Sequence, residues 1–372
     1  MTILADDRSV AQRILDHIEN QTTDLCPRTW REPVEHYRSP DRLRAELELV
    51  LRRSPTPFCP SAALPEPGSY LARDAAGVPL LAVRGRDGQV RAFRNACRHR
   101  GMQLAEGSGC ATAFTCRYHG WVYGQDGALR HIPQVAGFPD LDQAAHGLVP
   151  VRAVERYGLV FITQDEPGFE EPSLSALDGL ISPEMRLYRT TVTEVGANWK
   201  IFMDGFLEGY HIRALHRETF YPVQFDNLNV VEHFGRNTRV AFPYRRIHKL
   251  RDVRPDERSV DGMLTFLYHL FPNVAVATFP TNVSLIVNEP LGVDRTLMYT
   301  YTLSSLDLDD IDTAAQLKTA VDLQVDGLSE DQEVACSIQH GLASGANEHF
   351  AFGQFEGALT HFHQGLRDII GD

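Results

Sequence analysis

Two short stretches of this chain pair a thiolate with an imidazole: Cys97-Arg-His99 and, after a gap of sixteen residues, Cys116-Arg-Tyr-His119. Two Cys and two His at Cys-x-His and Cys-x2-His spacing can hold a tetrahedral Zn. The same donors can hold a 2Fe–2S cluster, with both Cys on one iron and both His on the other. Cys110 lies between the two claws but has no His two or three residues on, and it is left out of the site. A second stretch, Asp204-Gly-Phe-Leu-Glu208-Gly-Tyr-His211-Ile-Arg-Ala-Leu-His216, crowds two imidazoles and two carboxylates. Two His and one carboxylate suit Fe(II). On a straight helix His211 and His216 would be turned from one another by about 140°. A helix here must therefore end or bend between them if both bind one ion. Glu208 and His211 are three apart and share a helical face. Glu208 can ligate directly or accept a hydrogen bond from the ring N–H of His211. Asp204, if buried, needs a partner, and a cationic or hydroxylated substrate is one candidate.

The residues around these donors carry a resemblance. Asn95-Ala-Cys97-Arg-His99-Arg-Gly101 and Cys116-Arg-Tyr-His119-Gly120-Trp121 look like the two halves of a Rieske motif. Asp204-x3-Glu208-x2-His211-x4-His216, preceded by Asn198-Trp199-Lys200, resembles the mononuclear-iron motif of Rieske non-heme iron oxygenases. The commoner pattern has Asp where this chain has Glu208. The resemblance covers nearly the whole chain. It implies a Rieske cluster on Cys97, His99, Cys116 and His119, and iron on His211, His216 and a downstream Asp. The best match for that Asp is Asp331, in Leu328-Ser-Glu330-Asp331-Gln-Glu333, with Glu330 and Asp326 as fallbacks. The plainer reading of this acidic run is a helix start, with Ser329 as N-cap and acids in the first turn. The resemblance further implies that Glu208 links His211 to cluster His119 across a subunit boundary in a homotrimer.

The elements that must position these donors can be read from texture. Residues 1–54 read as helical, with Val10, Ile14 and Ile18 and then Leu43, Leu47 and Leu51 near helical spacing. Ser39-Pro40-Asp41 looks like a helix start. Residues 55–166 read as a small β domain: Val78–Val83, a turn at Arg86-Asp-Gly88, Val90–Phe93, a turn at Gln125-Asp-Gly127, and Leu159–Ile162. After the Pro167–Pro172 stretch the texture changes again. Trp199–Leu215 reads helical, 228–303 strand-rich, and Thr313–Leu342 helical. The fold class is α+β: a 1–54 helical segment packing on the catalytic domain, a 55–166 Rieske domain, and a 167–372 helix-grip domain whose curved antiparallel sheet grips a long helix. Met203, Asp204, Phe206 and Leu207, with Phe271-Pro-Asn273, are candidate cavity-lining residues.

Composition sets bounds. The chain has 372 residues, 43% hydrophobic and 23% charged, with net charge −13. That charge argues against nucleic acid or an anionic membrane as partner. Its cations are nearly all Arg, the Lys being Lys200, Lys249 and Lys318. No apolar run reaches the length of a membrane span, no secretory signal is visible at Met1–Asp7, and the scattered Cys suit a reduced cytoplasmic setting. The expected activity is a terminal oxygenase that hydroxylates or oxidatively demethylates a small organic substrate with O2. Its electrons come ultimately from NAD(P)H through a separate reductase or ferredoxin. The alternative is a Rieske electron carrier fused to a helix-grip ligand-binding domain; His211 and His216 argue against it, because a binding module has no need of ligand spacing.

Overall fold

The computed structural model describes residues 4–167 and 174–371. The segment from 168 to 173, which holds most of the stretch expected to separate two domains, lies outside the described residues, as do 1–3 and 372. The chain forms two compact units, Arg52–Pro167 and Met1–Leu51 with Gly168–Asp372.

The Arg52–Pro167 unit is the expected β domain. Its main sheet has seven antiparallel strands in the spatial order Thr56–Pro60, Leu159–Thr163, Pro150–Arg156, Val90–Arg94, Val78–Arg84, Ser69–Ala75 and Gly107–Cys110. The interior Val78–Arg84 strand buries Leu80, Leu81, Ala82 and Val83 together, as a strand covered on both faces must. A second sheet, Ala113–Thr115, Val122–Gly124 and Leu129–His131, turns at Asp126-Gly127. Phe93, Phe114, Trp121 and Tyr123 form the core around the two claw cysteines.

In the other unit, helix α1 (Asp7–Asn20) is capped by Asp6 and buries Val10, Ala11, Ile14 and Leu15. Helix α2 (Pro40–Ala45) starts as its sequence predicts, with Ser39 accepting from the Arg42 N–H and Pro40 in the first turn. The uniform helical reading of 1–54 is corrected between them: Trp30–Pro33 is a strand, paired antiparallel with His349–Phe352. A strand partner over 300 residues away leaves no trace in local periodicity.

The catalytic sheet runs Arg186–Val195, Arg295–Ser304, Val283–Gly292, Val274–Thr278, Leu264–Leu270, Asn237–Pro243 and Val230–Phe234, antiparallel throughout. Helix α3 (Trp199–Phe206), the 32-residue helix α4 (Ile311–Leu342) and helix α5 (Gly357–Ile370) complete the unit. This is the helix-grip architecture expected. Two helical boundaries are corrected. α3 stops at Phe206 rather than running to Leu215. α4 starts at an Asp310 cap, so Ser329 lies inside it and caps nothing.

Candidate iron sites

In the β unit each claw is closed by the same two backbone bonds. Cys97 N–H donates to the Met102 carbonyl at 2.8 Å and Gly101 N–H to the Cys97 carbonyl at 2.8 Å. Cys116 N–H donates to Trp121 at 2.8 Å and Gly120 N–H to Cys116 at 2.9 Å. Gly101 and Gly120 take φ of +79° and +75°, the left-handed turn that a side chain resists. The cysteines are buried and His119 is exposed. The His99 and His119 rings lie 4.6 Å apart, and His99 stacks on Trp121 at 5.0 Å. Tyr123 offers its hydroxyl to Cys97 Sγ at 3.3 Å and accepts from the Arg98 N–H at 2.9 Å. His99 Nδ1 is buried without a hydrogen-bond partner among the described residues. Two buried thiols facing two imidazoles, one nitrogen of which is unpaired, fit a cluster bound by Cys on one side and His on the other. Cys110 is exposed on the edge strand.

In the catalytic unit His211, His216 and Asp331 present ligand atoms that all lie within 4.8 Å of one another. The two Nε2 atoms are 3.2 Å apart, and Asp331 Oδ1 is 3.2 Å from His216 and 3.7 Å from His211. Two imidazole lone pairs and a carboxylate converging so closely fit a cation of the Fe(II) type. The histidines meet because α3 ends early. Residues 207–216 form turns, which bring two rings five residues apart to one point. The relation of Glu208 to His211 is therefore a property of a turn and not of a shared helical face. Glu208 accepts from the backbone N–H of Tyr210 and His211 and holds His211 Nδ1. Burial opposes a charged His211 ring, but Glu208 and Asp331 outweigh it and hold the imidazole above its ordinary value.

Glu330 has a place that the sequence did not indicate. Its carboxylate sits 2.7 Å from His216 Nδ1 and accepts from Thr219 Oγ1 at 2.7 Å. Each histidine thus has an acid behind it, Glu208 for His211 and Glu330 for His216, which fixes ring orientation and tautomer. Asp326 is exposed and outside the cluster. Phe220 packs on His216 at 4.8 Å and lies over Gly327 of α4, where an added Cβ would come within 2.4 Å of the ring.

Two cavities of about 340 Å³ each meet at this cluster and share Phe206, Glu208, His211 and Asp331 in their walls. One continues between the sheet and α4, past Phe220, Phe242 and Phe279 to Thr300, Thr302 and Arg189. The other is lined by Asp204, Phe350, Phe352 and Glu356. The Glu356 carboxyl is pushed up to about 7, by burial and by the nearby Glu208 and Asp204 charges, against a lowering bond from the Gly353 N–H. Phe206 lines both cavities as expected, whereas Met203 and Leu207 are core. Phe271 and Asn273 are likewise buried in the core and line neither cavity.

The partner that Asp204 needs comes from the chain. Tyr37 donates its hydroxyl to Oδ2 at 2.6 Å, and His363 Nε2 lies 2.7 Å from Oδ1. The Asn198-Trp199-Lys200 motif also has a packing role. Trp199 Nε1 and Lys200 Nζ both donate to Glu46, at 3.0 Å and 2.9 Å, and Asn198 N–H donates to Gln339 of α4 at 2.9 Å. This ties α3, and the ligand turn that follows it, to the end of α2 and to α4.

Comparison with known proteins agrees with this geometry. Residues 183–372 match the ring-hydroxylating alpha subunit (catalytic domain) family, and residues 54–149 match the Rieske [2Fe-2S] domain family. The chain is 32% identical over 222 residues to the carnitine monooxygenase oxygenase subunit of Acinetobacter baumannii, spanning 56% of this chain and 59% of that one. It is 26% identical to the chloroplastic choline monooxygenase of Beta vulgaris over 98% of this chain and 81% of that one. The Escherichia coli K12 carnitine monooxygenase oxygenase subunit is 28% identical, over 92% of this chain and 94% of that one. The fold matches that of a quaternary ammonium Rieske monooxygenase solved with L-carnitine, with TM-score 0.78 at 23% identity over 93% of this chain and 96% of that one. It also matches naphthalene 1,2-dioxygenase with indole bound, with TM-score 0.75 at 17% identity over 92% of each chain. The chain belongs to the ring-hydroxylating alpha-subunit family, with a Rieske [2Fe-2S] domain preceding a mononuclear-iron catalytic domain.

Proposed function

We propose that this chain is the terminal component of a monooxygenase that hydroxylates or oxidatively demethylates a small N-methylated ammonium compound, taking electrons from a separate reductase or ferredoxin. The observation that carries this reading is the convergence of His211, His216 and Asp331 on the wall of a cavity of about 340 Å³, the size of a small substrate. The names of the relatives, carnitine and choline monooxygenases, support the substrate class. So do the ring faces of Phe206, Phe220, Phe242 and Phe279 in that cavity, since aromatic faces attract quaternary ammonium groups.

Bound at these residues, the cluster would supply electrons one at a time and the mononuclear iron would supply the oxygen chemistry. Cys97, His99, Cys116 and His119 would hold the cluster, and His211, His216 and Asp331 the iron. Glu208 and Glu330 orient the two imidazoles. Phe206, Phe220, Phe242 and Phe279, with Val321, Val325 and Leu328 of α4, give the cavity beside them an apolar wall. In a homotrimer, Glu208 of one subunit would stand next to the exposed His119 end of another subunit's cluster. Inter-subunit electron transfer is described for one solved relative, a quaternary ammonium Rieske monooxygenase, and this supports the arrangement. A cytoplasmic location belongs to the same proposal; among the described residues no helix is long and apolar enough to cross a membrane.

Metal analysis and a substrate screen test the reading together. Three irons per chain are expected, with O2 and NADH consumption stimulated by carnitine, choline or a betaine in the presence of a generic reductase. Two irons per chain, with cluster colour retained and ligand binding intact, would leave the electron carrier fused to a binding domain.

A further inference from the structure

The cavity between the catalytic sheet and α4 changes character along its length. At one end stand the carboxylates of Glu208 and Asp331, beside His211 and His216. Phe220 packs on His216, and the Phe242 ring lies against the ligand turn at Gly209. The other end is walled by the Arg186–Val195 edge of the sheet and its neighbouring strands. Arg189 pairs in register with Thr302, Thr302 with Ser284, and Thr191 with Thr300, and all five line the cavity. Among the described residues, the hydroxyls of Thr191, Thr300 and Thr302 make no hydrogen bond, and the Arg189 guanidinium has neither a hydrogen bond nor an ion pair. The neighbouring cations differ. Arg186, on the same strand, is tied to the Pro183 and Glu184 carbonyls. Lys318 of α4, which feels the Arg189 charge, is met by Asp322.

We propose that Arg189 determines specificity by holding a carboxylate of the substrate. The substrate is then a zwitterion, with its N-methylated ammonium group at the iron end and its carboxylate at the Arg189 end. The proposal rests on the oxygenase reading above and narrows its substrate from N-methylated ammonium compounds in general to betaine-type acids. Choline, which carries a hydroxyl where these acids carry a carboxylate, leaves Arg189 without a partner and is a poor substrate.

Charge and length both favour this orientation. A guanidinium presents its N–H donors in a planar fork that matches the two oxygens of a carboxylate. The threonine hydroxyls beside it can donate as well. The reverse orientation puts like charges together: a carboxylate at the iron end would face Glu208 and Asp331, and an ammonium at the other end would face Arg189 and Lys318. Length follows from α4. Val321, one turn on from Lys318, and Asp331 both line the cavity and are ten residues apart on this helix, about 15 Å. A contact distance is taken up at each end. The remainder suits a chain of several carbons between the two charges better than the single methylene of glycine betaine. Arg189 is also exposed, so it is reached from solvent and its attraction for an anion is screened by salt.

The experiment uses the iron-loaded holoenzyme without reductase, titrated calorimetrically with γ-butyrobetaine, with its methyl ester and with glycine betaine. The ester keeps the ammonium group and lacks the negative charge. The parent should bind γ-butyrobetaine about tenfold more tightly than the ester, as a charge-assisted hydrogen-bonded pair allows. It should bind glycine betaine more weakly than γ-butyrobetaine. Arg189→Gln keeps donors without the charge and should lose most of the preference for acid over ester; Arg189→Glu should invert it. Added salt should narrow the preference in the parent, a test that needs no variant to fold. A parent that binds the ester as tightly as the acid, or that binds neither, overturns the proposal. So does Arg189→Gln with the parental preference, which leaves Arg189 a solvated surface residue. Equal affinity for the two betaines overturns the binding of both ends at once. Turnover with a reductase separates this proposal from the reading beneath it. Three irons per chain and oxidation of choline in preference to the acids overturn the role of Arg189 alone. Two irons per chain and no O2 consumption overturn the oxygenase reading, even where Arg189 binds the acid.

Discussion

At the scale of single residues, adjacent acids on α4 have opposite tasks. Successive side chains on a helix are turned by about 100°, so Glu330 and Asp331 cannot approach one point from the same direction. Asp331 reaches the Nε2 side of both histidines, and Glu330 reaches around to Nδ1 of His216. Removing them should have different effects. Asp331→Ala is expected to lower iron from three to two per chain while the cluster spectrum persists. Glu330→Ala removes only the group that orients His216, and such losses typically weaken metal affinity about 10–100-fold. The variant should therefore load with iron at high metal and lose it on dialysis. Iron content before and after dialysis, measured side by side, decides the assignment. Full iron in Asp331→Ala with none in Glu330→Ala would exchange the two roles.

At the scale of elements, the ligand turn is held by what comes before it. α3 carries Trp199 and Lys200 onto Glu46, which also takes Arg42 Nε at 3.0 Å. Glu46 and Lys200 are both essentially unexposed. Burial pulls the Lys200 amine below its ordinary value, and Glu46 opposes that pull. Deleting one partner of a buried ion pair strands the other, at about 3–5 kcal/mol. Glu46→Ala should therefore lower unfolding free energy by that order in urea titrations. A double variant, Glu46→Ala with Lys200→Met, should recover much of the loss. Glu46→Ala with an unchanged urea midpoint would mean that the pair contributes little. The motif preceding the iron ligands is, in these terms, an anchor for α3 as much as a signature of the site.

At the scale of the whole molecule, the buried His363 couples folding to pH. Its folded-state value of about 9 lies above the ordinary 6.5. The protonated imidazole therefore stabilises the fold fully below pH 6.5, and this contribution is lost as pH rises through 9. The difference of 2.5 units corresponds to at most about 3 kcal/mol. Glu32 is depressed, so its contribution is present above the ordinary carboxylate range and fades in acid. Urea midpoints of the parent should fall between pH 6.5 and 9.5. His363→Gln should be less stable at pH 6.5 and nearly flat across the same window; a parent whose stability is constant there would sink the assignment of charge to His363.

What could be read from sequence alone was whatever is close along the chain. The cluster claws lie within short turns, so residue type and spacing already constrain them. The His211–His216 spacing suggested a shared ion and required a break in the helix, but not where it would fall; the break is at Phe206. Strand and helix texture sufficed for the α+β class and the helix-grip sheet. Long-range choices were settled only in three dimensions. Asp331 and Glu330 were divided between ligand and orienting partner by how α4 lies against a turn 114 residues earlier. Asp204 met its partners from 159 and 167 residues away, in α5 and beside the first strand. Such pairings depend on where the packed elements bring distant side chains, and neither periodicity nor spacing along one element carries that information.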